Sequence, residues 1–102
     1  MTAGNDNEQI LDNRRKKLKF RAWHRGIKEM DIILGNFADR YLESFDAADL
    51  DEFERLLQIP DQAFYAMLAH NAPIPDIVDT PLFHRIMRFS EDPLGARAPV
   101  ED

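Results

Sequence analysis

An all-α fold, a small five-helix bundle in a single domain with disordered termini, is what this chain of 102 residues predicts. Three observations point there. From Ile27 the apolar residues fall at Met30, Ile33, Leu34, Phe37, Ala38, Tyr41 and Leu42, one face of a 3.6-residue period. No stretch alternates with period two for long enough to argue a strand. The punctuation is helical too: Gly26, Asp46, Pro60, the Asn71-Ala72-Pro73-Ile74-Pro75 run and Thr80-Pro81 stand where periodic segments begin or end. The organisation expected is a flexible arm over 1–9, the helical domain over 10–90 and a flexible tail over 91–102.

In chain order, residues 1–9 are polar and carry no apolar face. A first helix is expected over about 10–24, with Leu11, Leu18, Ala22 and Trp23 inward and the rest heavily basic; cations in its last turn suit the negative end of the helix dipole. Gly26 marks the corner to the next helix, where a residue without Cβ reaches positive φ at least cost. Helix two, about 27–43, is the central core element. Gly35 inside it costs about 1 kcal/mol relative to Ala, which a close helix crossing would explain. Asp46 is an N-cap for a third helix, with Asp49, Asp51 and Glu52 loading its first turns and Leu50, Phe53, Leu56 and Leu57 facing inward. Arg55 can pair with Asp51 at the i, i+4 spacing. Pro60 ends that helix and opens a short fourth one, with Asp61 near its start and Phe64, Met67 and Leu68 inward. Thr80-Pro81 caps a fifth helix that buries Leu82, Phe83, Ile86 and Met87 and turns Arg85 and Arg88 outward. Beyond Ser90 come Pro93, Gly95 and Pro99 with no periodicity.

Composition excludes several classes. There is no cysteine, so disulfides, thiolate metal sites and thiol chemistry are absent. No apolar run approaches the roughly 20 residues of a membrane span, and the polar, acid-containing start resembles neither a signal peptide nor a transit peptide. A bacterial-type cytoplasm is therefore the expected compartment, with no membrane insertion. The net charge of −6 hides an asymmetry: eight of the 13 Lys and Arg lie between Arg14 and Lys28 with no acid among them, while the rest of the chain holds all 19 acids. That polarity suits orientation on a partner better than general nucleic-acid affinity, although a solvated helix face would also account for it. His24, His70 and His84 lack the spacing of a helical metal site, no two carboxylates stand apart as an acid–base pair, and no glycine-rich phosphate loop is present. The expectation is a monomer that is not an enzyme and holds no metal or cofactor stably by itself. A basic arm over Arg14 to Arg21 binding nucleic acid or a membrane surface is the competing class, opposed by the acidic remainder. A small hydrolase fails for want of a nucleophile–base pair.

Function is expected at the corner itself. Arg25-Gly26-Ile27-Lys28-Glu29 places an arginine, a glycine turn and a first-turn acid within five residues. Two readings are open: Glu29 as a dipole-favoured acid and Arg25 as a helix-ending cation, or both as a docking surface. Trp23 likewise either packs under the corner or anchors a contact.

The match extends beyond the corner. The run from Arg21 through Ala-Trp-His-Arg-Gly-Ile-Lys-Glu-Met-Asp-Ile-Ile-Leu-Gly-Asn to Phe37, then Tyr41, then Leu50-Asp-Glu-Phe-Glu-Arg-Leu-Leu, then Asp61, Phe64, Tyr65 and Leu68, resembles the succinate dehydrogenase assembly factor family, the small SdhE-type flavinylation factors. The resemblance covers about 13–90 and centres on the Arg-Gly-x-x-Glu signature. It implies a five-helix bundle that binds the flavoprotein subunit of succinate dehydrogenase, or of fumarate reductase, and promotes covalent attachment of FAD to a histidine of that subunit. It places Arg25, Gly26 and Glu29 at the partner, and we extend the expected partner-binding set to Arg21, His24 and Asp31. The covalent chemistry would reside in FAD and the partner. Tyr65 stands where many members have tryptophan, and His70-Asn71 replaces a commoner threonine–glycine helix end. Some bacterial members carry an antitoxin label, which leaves an antitoxin-type interaction protein as a further alternative.

Overall fold

The computed structural model describes residues 3–92, with backbone alone over 3–7. Five α-helices run α1 (Ala3–Trp23), α2 (Lys28–Tyr41), α3 (Ala47–Leu57), α4 (Asp61–Ala69) and α5 (Pro81–Ser90), with a 3₁₀ turn at Leu42–Ser44 and no strand among the described residues. The all-α expectation holds. The stripe read on helix two is the centre of the core: Met30, Ile33, Leu34, Phe37 and Ala38 are buried, and α2 packs against α1, α4 and α5. Phe37, Phe53, Phe64 and Phe83 are fully buried. The Phe37 ring stacks on Phe53 at 6.0 Å and meets Phe89 edge-on at 5.4 Å, geometries that aromatic quadrupoles favour.

The caps follow local chemistry. Asp46 accepts from the Asp49 N–H (2.9 Å) while Asp49 accepts from the Asp46 N–H (3.2 Å), a reciprocal box that satisfies two otherwise orphaned donors of α3. Thr80 Oγ1 accepts from the Phe83 N–H at 3.2 Å, with Pro81 at the first helical position. At the end of α4, Asn71 adopts φ 58°, and the N–H groups of His70 and Ala72 both donate to the Ala66 carbonyl. Asparagine thus does there what glycine does at other helix ends.

Several expectations are corrected. Helix α1 starts at Ala3, earlier than the start expected near residue 10, and residues 1–2 lie outside the described residues. Residues 3–9 have no apolar face to signal a helix, yet extending a helix already anchored downstream adds one hydrogen bond per residue fixed. Of the expected tail, Glu91 and Asp92 finish α5 with N–H bonds to Arg88 and Phe89, and residues 93–102 lie outside the described residues. Arg55 pairs with Glu52 (2.7 Å), because Asp51 is taken by Arg14 from α1 (2.6 Å). Arg85 does not point outward: its guanidinium lies 4.8 Å from the Tyr41 ring centre and 5.5 Å from that of Phe45, a cation over aromatic faces.

Gly35 is where α1 and α2 approach each other. A Cβ there would stand within 2.5 Å of three atoms of the Trp23 indole, whose Nε1–H donates to Asp39 at 3.2 Å. Of the two roles open to Trp23, packing beneath the corner is the one observed. Gly35→Ala should therefore destabilise the fold by about 1–3 kcal/mol through overpacking, against the roughly 1 kcal/mol that helix propensity alone would add. Urea unfolding followed by far-ultraviolet circular dichroism checks the sign.

Candidate docking site at the elbow between α1 and α2

The chain leaves α1 after Trp23 and enters α2 at Lys28 through His24, Arg25, Gly26 and Ile27. Gly26 has φ 121°, a backbone geometry that side-chain-bearing residues rarely adopt. Its absent Cβ would meet only Asp61 Oδ2, at 3.4 Å, so conformation rather than space demands the glycine. Asp31, in the first turn of α2, reaches back to accept the Arg25 backbone N–H at 2.6 Å and closes the turn.

The Arg25 side chain runs inward from there. Its Nε donates to Asp61 Oδ1 (2.6 Å), Nη1 to the Leu57 carbonyl (2.5 Å) and Nη2 to the Ile59 carbonyl (2.6 Å), and it is only 10% exposed. Leu57 is the last residue of α3, whose terminal carbonyls lack helical partners, and Asp61 is the first residue of α4. A planar fork lying between the negative end of one helix and the acid that opens the next completes both. The Arg25 donors are engaged within the chain, because three acceptors converge behind the elbow.

The six residues expected to bind a partner thus divide. His24, Gly26 and Glu29 are exposed around the elbow, and Glu29 makes no hydrogen bond or ion pair among the described residues. Arg21 is half exposed and leans on Glu54 at 3.5 Å. Arg25 and Asp31 are half-buried and build the turn. His24 is held by a 2.8 Å bond between Nδ1 and the Phe20 carbonyl, with its ring stacked on Phe20 at 4.0 Å.

Two residues escaped the sequence reading. Asp61 was legible as a first-turn acid, but nothing local marks it as the counter-ion of an arginine 36 positions away. Phe20, 63% exposed, carried a usable signal: it falls off the face of α1 defined by Leu18 and Ala22. Among the described residues no polar or charged side chain is fully buried, and no three His, Cys, Asp or Glu gather at metal-binding distance.

Fold and site together define the class: a small five-helix bundle that braces one exposed turn from behind. The chain belongs to the family described as the flavinator of succinate dehydrogenase, whose model matches residues 16–90 and so contains the whole elbow. It is 36% identical over 83 residues to the FAD assembly factor SdhE of Acetobacter pasteurianus, covering 81% of this chain and 76% of that protein. It is 39% identical over 71 residues to the mitochondrial succinate dehydrogenase assembly factor 2 of Debaryomyces hansenii, covering 67% of this chain and 50% of that protein. The Saccharomyces cerevisiae assembly factor 2 is 33% identical over 86 residues, 80% of this chain and 53% of its own length. The chain spans about half the length of these mitochondrial relatives.

Removing Arg25 leaves Asp61, 15% exposed, without its counter-ion. Arg25→Ala should lower the unfolding free energy by about 3 kcal/mol. Arg25→Lys should be destabilised too, because an ammonium cannot span three acceptors in one plane, whereas Glu29→Ala should stay within about 0.5 kcal/mol of the parent. Chemical denaturation of the three variants gives the comparison.

Proposed function

We propose that the chain is an assembly factor that binds the flavoprotein subunit of succinate dehydrogenase, or of fumarate reductase, and promotes covalent attachment of FAD to it. The observation that carries this is the coincidence of the family match with an elbow whose turn is locked from within and whose outer acid, Glu29, has no hydrogen bond or ion pair among the described residues. In this reading the factor is an accessory protein and the bond-forming chemistry belongs to FAD and the partner. It acts as a monomer in a bacterial cytoplasm and holds no FAD of its own. The relatives' names support the assembly role.

The elbow would act by selection. A surface that fits the flavoprotein only when its acceptor histidine faces the flavin stabilises that conformer and raises the rate of a reaction the partner performs itself. Gly26 lets another backbone come close, Glu29 accepts from partner donors, and His24 offers a ring edge beside them. Arg25 and Asp31 serve by holding the turn in one geometry, so that little ordering accompanies binding.

The basic-arm alternative finds little support. Arg14 is bound to Asp51 and Glu54, and these hydrogen bonds, that to Glu54 foremost, hold its guanidinium above the ordinary value. Arg15 donates to the Leu42 and Phe45 carbonyls, and Lys19 stands 3.8 Å from Asp39.

Co-expression of the flavoprotein with Glu29→Ala or Gly26→Arg, followed by denaturation and in-gel flavin fluorescence, tests the proposal. Covalent flavin should fall about fivefold or more, the effect of removing a contact worth over 1 kcal/mol. Undiminished covalent flavin with both variants, each shown to be folded, refutes the role of the elbow.

A further inference from the structure

Helix α1 has two basic faces with different fates. On one, Arg14, Arg15, Lys19 and Arg21 turn back onto Asp51, Glu54, Asp39 and the carbonyls after α2. On the other, Lys16 and Lys17 are exposed and make no ion pair among the described residues. Lys16, Phe20 and His24 follow one another at the i, i+4 spacing with Lys17 alongside, so these residues form one stripe along the helix, bordered by Arg21. Lys16, Lys17, Phe20 and Arg21 line a shallow concavity of about 410 Å³. Phe20 is 63% exposed, with the His24 ring stacked on it. Of the large apolar side chains exposed among the described residues, Ile10, Phe20 and Ile77, Phe20 is the one that stands beside unpaired cations in a concavity, so it is part of a mixed apolar and basic patch.

We infer that this stripe is a second docking surface, continuous with the elbow through His24, for an acidic segment of the flavoprotein partner that carries an apolar residue to cover Phe20. The inference rests on the assembly-factor reading and adds the chemistry of the partner's contact. Unpaired lysines favour a carboxylate-rich segment, and the aromatic pair favours an apolar side chain among those carboxylates. The occupant is a local acidic stretch rather than an extended polyanion. Outside the Arg14 to Lys28 run, five basic residues face all 19 acids, so anything negative that spread beyond α1 would be repelled. The two contributions separate by salt: the lysine term is screened over about 10 Å at 0.1 M, whereas burial of Phe20 is not.

The test uses the full-length chain and the isolated flavoprotein subunit, with affinity measured by isothermal titration calorimetry at 50 and 300 mM salt. The variants are Lys16→Glu/Lys17→Glu, Phe20→Ala and, as the elbow control, Glu29→Ala, each checked by thermal melting. Vesicles containing 30% phosphatidylglycerol and a 20-base-pair DNA duplex serve as competing anionic surfaces. The charge reversal should weaken flavoprotein binding at least tenfold at 50 mM salt and much less at 300 mM. Phe20→Ala should weaken it severalfold at both, and melting temperatures should stay near that of the parent. Flavoprotein affinity sensitive to Glu29→Ala but untouched by the α1 variants overturns the second surface while leaving the elbow in place. Binding to vesicles or duplex that the charge reversal abolishes, with flavoprotein affinity unchanged, overturns it in favour of a lipid or nucleic-acid surface. No binding of the unaltered chain to the flavoprotein overturns the assembly-factor reading and this inference with it.

Discussion

One guanidinium holds the elbow of this protein together. Arg25 bridges the last carbonyl of α3, the Ile59 carbonyl in the following turn and the Asp61 carboxylate that opens α4. Its own backbone N–H is tied to Asp31 in α2. Three helices and the turn between α1 and α2 are thereby set against one another at a single residue. The arrangement is nearly dry, with the two charged side chains 10% and 15% exposed, so the attraction is little screened and loss of either partner would strand the other. Gly26 is the conformational complement: only at positive φ does the chain turn from this inward arginine into α2.

The charge asymmetry of the chain acquires two meanings from this structure. Half of the basic run is a clasp, fastening α1 across the acidic face of α3 and the 3₁₀ turn, so the excess cation at one end and the excess anion elsewhere partly answer each other. Lys16 and Lys17, with Phe20 and His24, lie on the opposite face, and the two lysines make no ion pair among the described residues. Helix α1 thus secures the fold with one side and, on the other, presents lysines that are unpaired among the described residues beside the elbow. Its close approach to α2 is set by Trp23 lying over Gly35.

Local rules were legible in the sequence wherever one segment contained both halves of an interaction. The α2 stripe, the Asp46 and Thr80 caps and the Gly26 corner all follow from periodicity, capping chemistry or the conformational freedom of a glycine. Long-range pairings were not legible. Arg55 had two acids within reach on its own helix, and the choice between them was made by Arg14 from another helix. Arg25 read as an outward group because a charged residue beside a glycine turn is exposed by default. Only the convergence of α3, α4 and the elbow reveals its acceptors. The family signature therefore contains residues of two kinds, those that shape the turn and those that face outward from it, and spacing alone does not separate them.

A double-mutant cycle between Arg25→Gln and Asp61→Asn, read as unfolding free energy in urea, tests most directly whether the elbow is braced as described. Residues that share this contact should show a coupling of about 2 kcal/mol. Effects that add to within about 0.5 kcal/mol would mean that the two side chains act independently, and an arginine free of Asp61 would contradict the inward-facing brace.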